Sequence, residues 1–411
     1  MENSYDVLIV GAGPGGMCLA RSLAMSGLSV AVIEKQARDA IAQPAVDGRD
    51  IALTHFSRKI LEQLGVWQNI PSNSISTIRQ LKVLNGVSAS FMELSSPRSD
   101  QLGFVVPNHH IRQAAYEVVR GSQNITFVNG VVPTDLELHA LHAKVNLSDG
   151  RSLTAKLLIA ADSRFSETRK KAGITARVLD FRKTMVVCKM EHGLPHGGVA
   201  HECFLYGHTL AVLPLSNNCS SVIITMPPLE AQRIKELSAA DFNLWVSEQF
   251  RYRLGEMSLV NERYAYPLVG VYAEKFINRR FALVGDAAVG MHPVTAHGFN
   301  FGLKGQHILS KLLKEALQSG LDIGEDGMLS RYQSLYRRAT LPLYITTNKI
   351  VGLYTSDSQP AKVIRKMLLN VANQVVPVKN YLMDKLIEKD DLSPKFSSPL
   401  GIRRKLLQLL P

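Results

Sequence analysis

Cysteine is scarce: there are four in 411 residues. Cys18, Cys188, Cys203 and Cys219 show no C-x-x-C spacing, and no histidine stands near them at ligand spacing. That pattern excludes a disulfide framework and a metal cluster, so no metal site is expected; free thiols in a reducing compartment, the cytoplasm, are. Tryptophan is scarcer still, with only Trp67 and Trp245. Two indoles make no stacking platform, and no nucleic-acid reader motif is present, so nucleic acid is not an expected partner. No apolar run is long and clean enough to span a bilayer. The longest uncharged stretch, from about Thr209 to Pro228, is broken by the polar block Ser216 to Ser221 and by prolines, and reads as paired strands. The opening residues show neither a basic n-region nor an apolar h-region, so no secretory signal is expected. Internal repeats and low-complexity linkers are also missing.

What is present describes a globular chain with ample core: 46% hydrophobic and 20% charged residues. Its net charge of +12 is unevenly placed. From Pro360 onward ten lysines and arginines stand against four acids, which is half of the surplus. Lys362 to Lys366 and the run Ile402-Arg403-Arg404-Lys405-Leu406-Leu407-Gln408-Leu409-Leu410 mix cationic and apolar residues at helical spacing. Such a segment suits either an anionic membrane surface or the protein's own core.

The first third contains a βαβ opening. Tyr5 to Val10 is an apolar run, Pro14 to Gly27 carries helical spacing, and Ser29 to Ile33 is a second run ending in Glu34. Between strand and helix stands Gly11-Ala12-Gly13-Pro14-Gly15-Gly16. Gly11 permits the tight turn, Gly13 lets the backbone approach a diphosphate, and Gly16 lets helix and strand pack closely. The helix N-terminus adds free N–H groups and a positive dipole end. Glu34 is placed to bind a ribose diol, with Lys35 beside it. A dinucleotide follows, but the motif alone does not separate FAD from NAD.

From Val131 to Ala161 apolar and polar residues alternate as in an antiparallel meander, and Leu157 to Ala160 is a wholly apolar strand ending in Asp162. Val178 to Met226 yields several more strands, a second sheet. Phe281 to Val284 returns to a buried strand, followed by Asp286 and a long helix from about Gly298 to Leu317. An acid at the C-terminal end of a buried parallel strand faces the ligand crevice. Asp286 is placed there to accept a ribityl hydroxyl, and the first N–H groups after Gly298 are placed to face a flavin's pyrimidine edge.

These segments resemble the fingerprints of the class A FAD-dependent monooxygenases, the p-hydroxybenzoate hydroxylase superfamily. Asp47-Gly48-Arg49-Asp50-Ile51-Ala52-Leu53, Leu102 to Asn108 and Ala265-Tyr266-Pro267-Leu268 resemble the ubiquinone-biosynthesis hydroxylases (UbiH/UbiF/VisC) within it. The run Val289 to Gly298 is most similar to the UbiM-type 2-polyprenylphenol hydroxylases. The resemblance spans residue 5 to about 350. It implies an α/β fold: a Rossmann-like FAD-binding domain with an inserted meander (1–75, 100–175 and 275–325), interleaved with an antiparallel-sheet substrate domain (76–99 and 176–274) and followed by a C-terminal helical region (326–411). It implies FAD held by Gly11, Gly13, Pro14, Gly15, Gly16, Glu34 and Lys35, with Arg49, Arg112, Asp162, Asp286, Pro293, Gly298, Phe299 and Asn300 along the rest of the cofactor.

The implied reaction is hydroxylation of a polyprenylated phenol in ubiquinone biosynthesis. FAD is reduced by NAD(P)H or an electron-transfer partner, O2 adds at flavin C4a, and electrophilic oxygen passes to an electron-rich ring. The partners implied are that lipophilic substrate, a ubiquinone-biosynthesis assembly, the inner-membrane surface and other copies of the chain. Three positions depart from the family pattern: Ser163 replaces the glycine after Asp162, Ala296-His297 replaces Gly-Gln, and Lys304-Gly305 replaces Arg-Asp. No nucleophile–base pair or carboxylate pair emerges. His292 and His297 are candidates to polarise a phenol, or else they cap turns; Thr295 is a helix-start hydroxyl of the same double reading. Tyr206, Leu213 and Leu215 are candidates for the substrate wall, against plain core packing. Another flavin reaction on this fold, such as polyprenyl reduction, and a non-catalytic scaffold remain open alternatives.

Overall fold

Fully apolar strands and helices with one apolar stripe must be buried against each other, and this chain solves that with sheets backed by helices. The computed structural model describes residues 4–86, 91–95, 100–205, 207–292 and 298–355. The chain begins β1 (Ser4–Val10), α1 (Pro14–Ala24), β2 (Val30–Glu34), α2 (Arg38–Ala42), β3 (Asp50–Leu53), α3 (His55–Gln63), β4 (Ser76–Ile78), β5 (Gln80–Asn85) and β6 (Phe91–Ser95). It continues through β7 (Gly103–Pro107), α4 (Asn108–Arg120), β8 (Ile125–Asn129), β9 (Pro133–Leu138), β10 (Ala143–Leu147), β11 (Ser152–Ala160), α5 (Glu167–Lys171) and β12 (Ala176–His192). Next come β13 (Val199–Leu205), β14 (His208–Pro214), β15 (Cys219–Met226), α6 (Pro228–Glu236), α7 (Ala239–Gln249), β16 (Met257–Leu259) and β17 (Tyr264–Ala273). Then follow β18 (Ile277–Asn278), β19 (Phe281–Leu283), β20 (Val289–Gly290), α8 (Gly298–Gln318) and α9 (Asp326–Thr355).

Among the described residues there are three sheets. The first, of eight strands, runs β18-β19-β11-β1-β2-β8, with β10 and β9 attached at β11. Its centre is parallel, from β19 through β11 and β1 to β2 and β8. The sequence separates a meander from the apolar strand at Leu157 to Ala160, but one strand serves both. Residues 152–155 of β11 pair antiparallel with β10, and β11 also runs parallel to β1 along almost its whole length. Helices α1, α4, α8 and α9 supply the other layer of this core.

The second sheet, of nine strands, runs β20-β17-β12-β15-β14-β13-β5-β6, with β16 paired to β12. One face packs on α6 and α7 around Phe242, Val246 and Phe250. The third runs β3-β7-β4. Helix α9 touches both larger units, and toward the second sheet its Tyr344 ring lies 4.9 Å from that of Tyr272 on β17. Its fully buried Tyr332 and Tyr336 each remove a large ring from water while satisfying their hydroxyls on Leu283 O (2.7 Å) and Phe301 O (3.0 Å). Tyr336 also explains one departure from the family pattern. A Cβ on Gly305 would stand 2.5 Å from the Tyr336 ring, so the site of the family's aspartate admits only glycine here. Among the described residues no helix is long and apolar enough to cross a membrane. The basic segments after Pro360 lie outside the described residues.

Candidate functional site

The turn after β1 shows what each glycine does. Gly11 has φ +109°, and a Cβ there would sit 2.6 Å from Ala161 O, so strand, turn and the end of β11 touch. A Cβ on Gly16 would collide with the carbonyl oxygen of Gly11. Gly13 and Gly15 meet nothing within 4 Å, so this side of the loop is open to a ligand. Gly13 is the N-cap of α1, with Pro14 at the first helical position and no side-chain cap. The orphan N–H groups of the first turn therefore face open space, as a diphosphate site requires. Glu34 binds the turn as well: its Oε2 accepts from Ala12 N at 2.7 Å and its Oε1 from Gln36 N at 3.0 Å. Lys35 is exposed beside it, and Arg112 donates to Gln36 Oε1 at 3.3 Å. The residues present fit a dinucleotide.

Asp162 follows β11 and lies beneath the glycine turn. Its Oδ2 accepts from Thr168 Oγ1 at 3.1 Å, while Oδ1 is buried with no hydrogen-bond partner among the described residues. A donor on a ligand in the crevice would satisfy it. The neighbouring Arg169 is buried and donates to both Arg164 O (3.1 Å) and Ala287 O (2.8 Å), tying this segment to the turn after β19. Asp286 stands on that turn but not alone. Arg164 donates to its Oδ2 from Nη2 at 3.0 Å and from Nε at 3.3 Å, and also to Val269 O at 3.0 Å. Sequence reasoning missed this clamp.

Asn300 also differs from the expected arrangement. Its side chain is buried, accepts from Thr54 N at 3.1 Å and donates to Ala52 O at 2.9 Å. It fastens the start of α8 to β3 and does not project toward an open crevice. Phe299 packs on the main core, and a Cβ on Gly298 would meet nothing within 4 Å. Pro293, Thr295, His297 and Tyr206 lie outside the described residues.

Asp47 organises the loop before β3. It accepts from Arg49 Nη2 (2.6 Å) and Asn108 Nδ2 (2.7 Å), and its carbonyl accepts from Tyr266 Oη (2.6 Å). Burial works to raise its carboxyl, but the Arg49 and Asn108 bonds outweigh that and hold it below the usual range. Arg49 lies over the Tyr266 ring, 5.5 Å from its centre, and Tyr264 backs Gly48. Asp50 is fully buried, 3.5 Å from Lys189 Nζ on β12; burial pushes its carboxyl up against the pull of Lys189. The 47–50 loop is thus bound to the second sheet by contacts between residues far apart in sequence.

On that sheet Leu213 is half-buried, while Leu215 is buried beyond β14. His292 is buried edge-on to Phe181, with ring centres 4.7 Å apart. Burial, aided by the Arg164 charge, lowers its pKa to about 4, and burial likewise lowers His201 to about 4. Both imidazoles are neutral at pH 7, so His292 has no cation to offer a substrate. The linkage has a definite sign. Unfolding frees groups that protonate below about 6.5, so stability is full above that pH and falls as pH drops toward 4. We expect Tm to decrease between pH 6.5 and 4, with a shallower slope in His292→Gln. Thermal melts across that range check this, and identical slopes would place His292 in contact with solvent.

The FAD binding domain family model matches residues 4–339. Ubiquinone hydroxylase UbiM of Neisseria meningitidis is 44% identical over 392 residues, covering 94% of this chain and 85% of that protein. Ubiquinone hydroxylase UbiL of Rhodospirillum rubrum is 32% identical over 379 residues, covering 92% and 88%. Among solved structures, p-nitrophenol 4-monooxygenase PnpA of Pseudomonas putida superposes with a TM-score of 0.74 at 17% identity, over 94% of this chain and 99% of that one.

Proposed function

Since this chain belongs to the FAD binding domain family and, within it, to the ubiquinone hydroxylases, we propose that it hydroxylates the ring of a polyprenylated phenol, a precursor of ubiquinone. The observation that carries this reading is the 44% identity to a ubiquinone hydroxylase across nearly the whole chain. The open glycine turn and the orphaned oxygen of Asp162 support it from the geometry.

In this reading Gly11, Gly13, Pro14, Gly15 and Gly16 hold the FAD diphosphate, and Glu34 and Lys35 hold the adenosine end. Arg49 and Arg112 line its path, and Asp162 and Asp286 receive the ribityl region. Bound FAD supplies the activated oxygen, which no side chain could carry. The chain's own work is to place the phenol and exclude water. Asn300 acts indirectly, by fixing the first turn of α8 so that its backbone N–H groups stay aligned. The eight-stranded sheet with its helices serves the cofactor and the nine-stranded sheet the substrate. NAD(P)H or an electron-transfer partner supplies the reducing equivalents. The basic segment after Pro360 is the natural contact with an anionic membrane surface, where such a substrate resides.

Labelled dioxygen tests the reaction. Turnover of a short-chain prenylphenol under 18O2 should place one heavy oxygen atom on the ring of the product. Flavin reoxidation with unlabelled or merely reduced product would replace the hydroxylase reading with a reductase or a non-catalytic flavoprotein.

A further inference from the structure

The register of the nine-stranded sheet sorts its residues between two faces. On β13, Cys203 packs in the α6–α7 core and His201 lies edge-on to Phe250, with ring centres 5.1 Å apart. Ala200, Glu202 and Phe204 therefore take the opposite face. Pairing partners carry that face sideways from Glu202 as one row: Met92, Val83, Glu202, Ala211, Ile223, Val187 and Tyr264. Tyr264 backs Gly48, and Tyr266, two residues on, holds Asp47 and lies under Arg49. This face thus looks onto the 47–50 loop and its small sheet, the side on which the proposed flavin lies.

Glu202 is the one carboxyl in a row of apolar neighbours and a single phenol. It is half-buried, and its side chain makes no hydrogen bond or ion pair with another described residue. Two lysines of β12 bear on this face: Lys189, one row along and three strands away by register, pairs with Asp50, and Lys183, just before the paired stretch of the strand, donates to Gly207 O in the β13–β14 turn at 2.9 Å. Lys82 pairs in register with His201 and so belongs to the other face; Arg253 influences His201, and Arg251 and Arg253 influence Cys203, both on that face. Burial is the only cause acting on the Glu202 carboxyl, and it is pushed up to about 8. A carboxyl placed without a partner in an apolar wall costs stability, and such breaches of the packing rule concentrate at functional sites.

We infer that Glu202 is the substrate-contacting residue that receives the ring hydroxyl of the phenol, the polar anchor of an otherwise apolar chamber. The inference rests on the hydroxylase reading above. Ionised Glu202 accepts the phenol O–H and takes its proton: the phenol O–H bond breaks, a carboxyl O–H bond forms, and the ring oxygen keeps the electron pair. No electron changes hands. The phenolate so formed is richer at the ring carbon to be oxygenated, so turnover rises with pH through about 8.

Glu202→Leu and Glu202→Gln in the FAD-loaded full chain test this, with a single-isoprene phenol as substrate, over pH 6 to 9.5. Glu202→Leu should keep its flavin and melt no lower than wild type, because a leucine suits that wall better. Its KM should rise roughly tenfold, the value of one net hydrogen bond, and the rise of turnover with pH should vanish. Glu202→Gln should bring KM back to within a few-fold of wild type, while the pH rise stays lost. An active wild type beside a Glu202→Leu with unchanged KM and pH profile overturns the assignment alone, and so does a melting point several degrees lower with KM unchanged, which makes Glu202 structural. A flavin-loaded wild type that oxygenates no phenol overturns the hydroxylase reading, and this inference with it.

Discussion

Gly13→Asp yields a colourless protein whose stability without cofactor equals or slightly exceeds that of the wild-type apoprotein. The backbone at Gly13 has φ −66° and ψ 170°, an extended conformation open to any residue, and a Cβ there meets nothing within 4 Å. As N-cap of α1 it now provides no side-chain acceptor. An aspartate would accept from the first-turn N–H groups and complement the helix dipole, gaining a few tenths of a kcal/mol over glycine. Those same N–H groups are the ones a diphosphate needs. Occupied by a fixed carboxylate, the turn both withdraws its donors and repels the anion, and FAD affinity should fall at least ~100-fold. Gly16→Ala fails differently. Its methyl would collide with the Gly11 carbonyl, so it should lower the melting point of the apoprotein as well. Flavin absorbance of the purified proteins, with melts of the apo forms, separates the two. A yellow Gly13→Asp protein with one FAD per chain would move the diphosphate away from this turn.

The glycine turn was readable because its constraints are local: two short elements and six residues define the geometry, and the structure places Gly11, Gly13 and Gly16 as their spacing demands. The acids at strand ends were readable for the same reason. What surrounds them was not. Arg164 lies 122 residues from Asp286, and only the folding of β11 beside β19 brings the two together. Asn300 carries a polar side chain in a motif that suggests flavin contact, but its amide is taken by Ala52 and Thr54, 248 and 246 residues away. Alternation in the second sheet announces strands without saying which strands are neighbours. That β5 joins β13 in parallel, and so places Val83 beside Glu202, is a long-range crossover outside local pattern. The same holds for Gly305: from sequence it is an unexplained loss of an aspartate, and the reason is a tyrosine 31 positions downstream in α9.

Asp286→Ala should purify without flavin, whereas Arg164→Ala should bind FAD as well as wild type or better. The two residues form an ion pair at 3.0 Å, with side chains 30% and 37% exposed. A pair that open to water contributes no more than about 1 kcal/mol, so it can be surrendered when a ligand arrives. The carboxylate stays useful after the arginine leaves. It stands on the turn after β19, at the C-terminal end of the parallel strands, where a ribityl hydroxyl would donate to it in a charge-assisted bond of about 1.5–3 kcal/mol. Removing the carboxylate forfeits that bond, which should weaken FAD at least ~10-fold. Removing the arginine forfeits only the pair and the bond to Val269 O, and spares FAD the cost of displacing a competitor. Titrating each apoprotein with FAD and following the flavin fluorescence gives both affinities. Were Arg164→Ala to lose FAD as severely as Asp286→Ala, the ligand would be the guanidinium and carboxylate together, and the arginine would be reaching a phosphate instead of competing with FAD for the carboxylate.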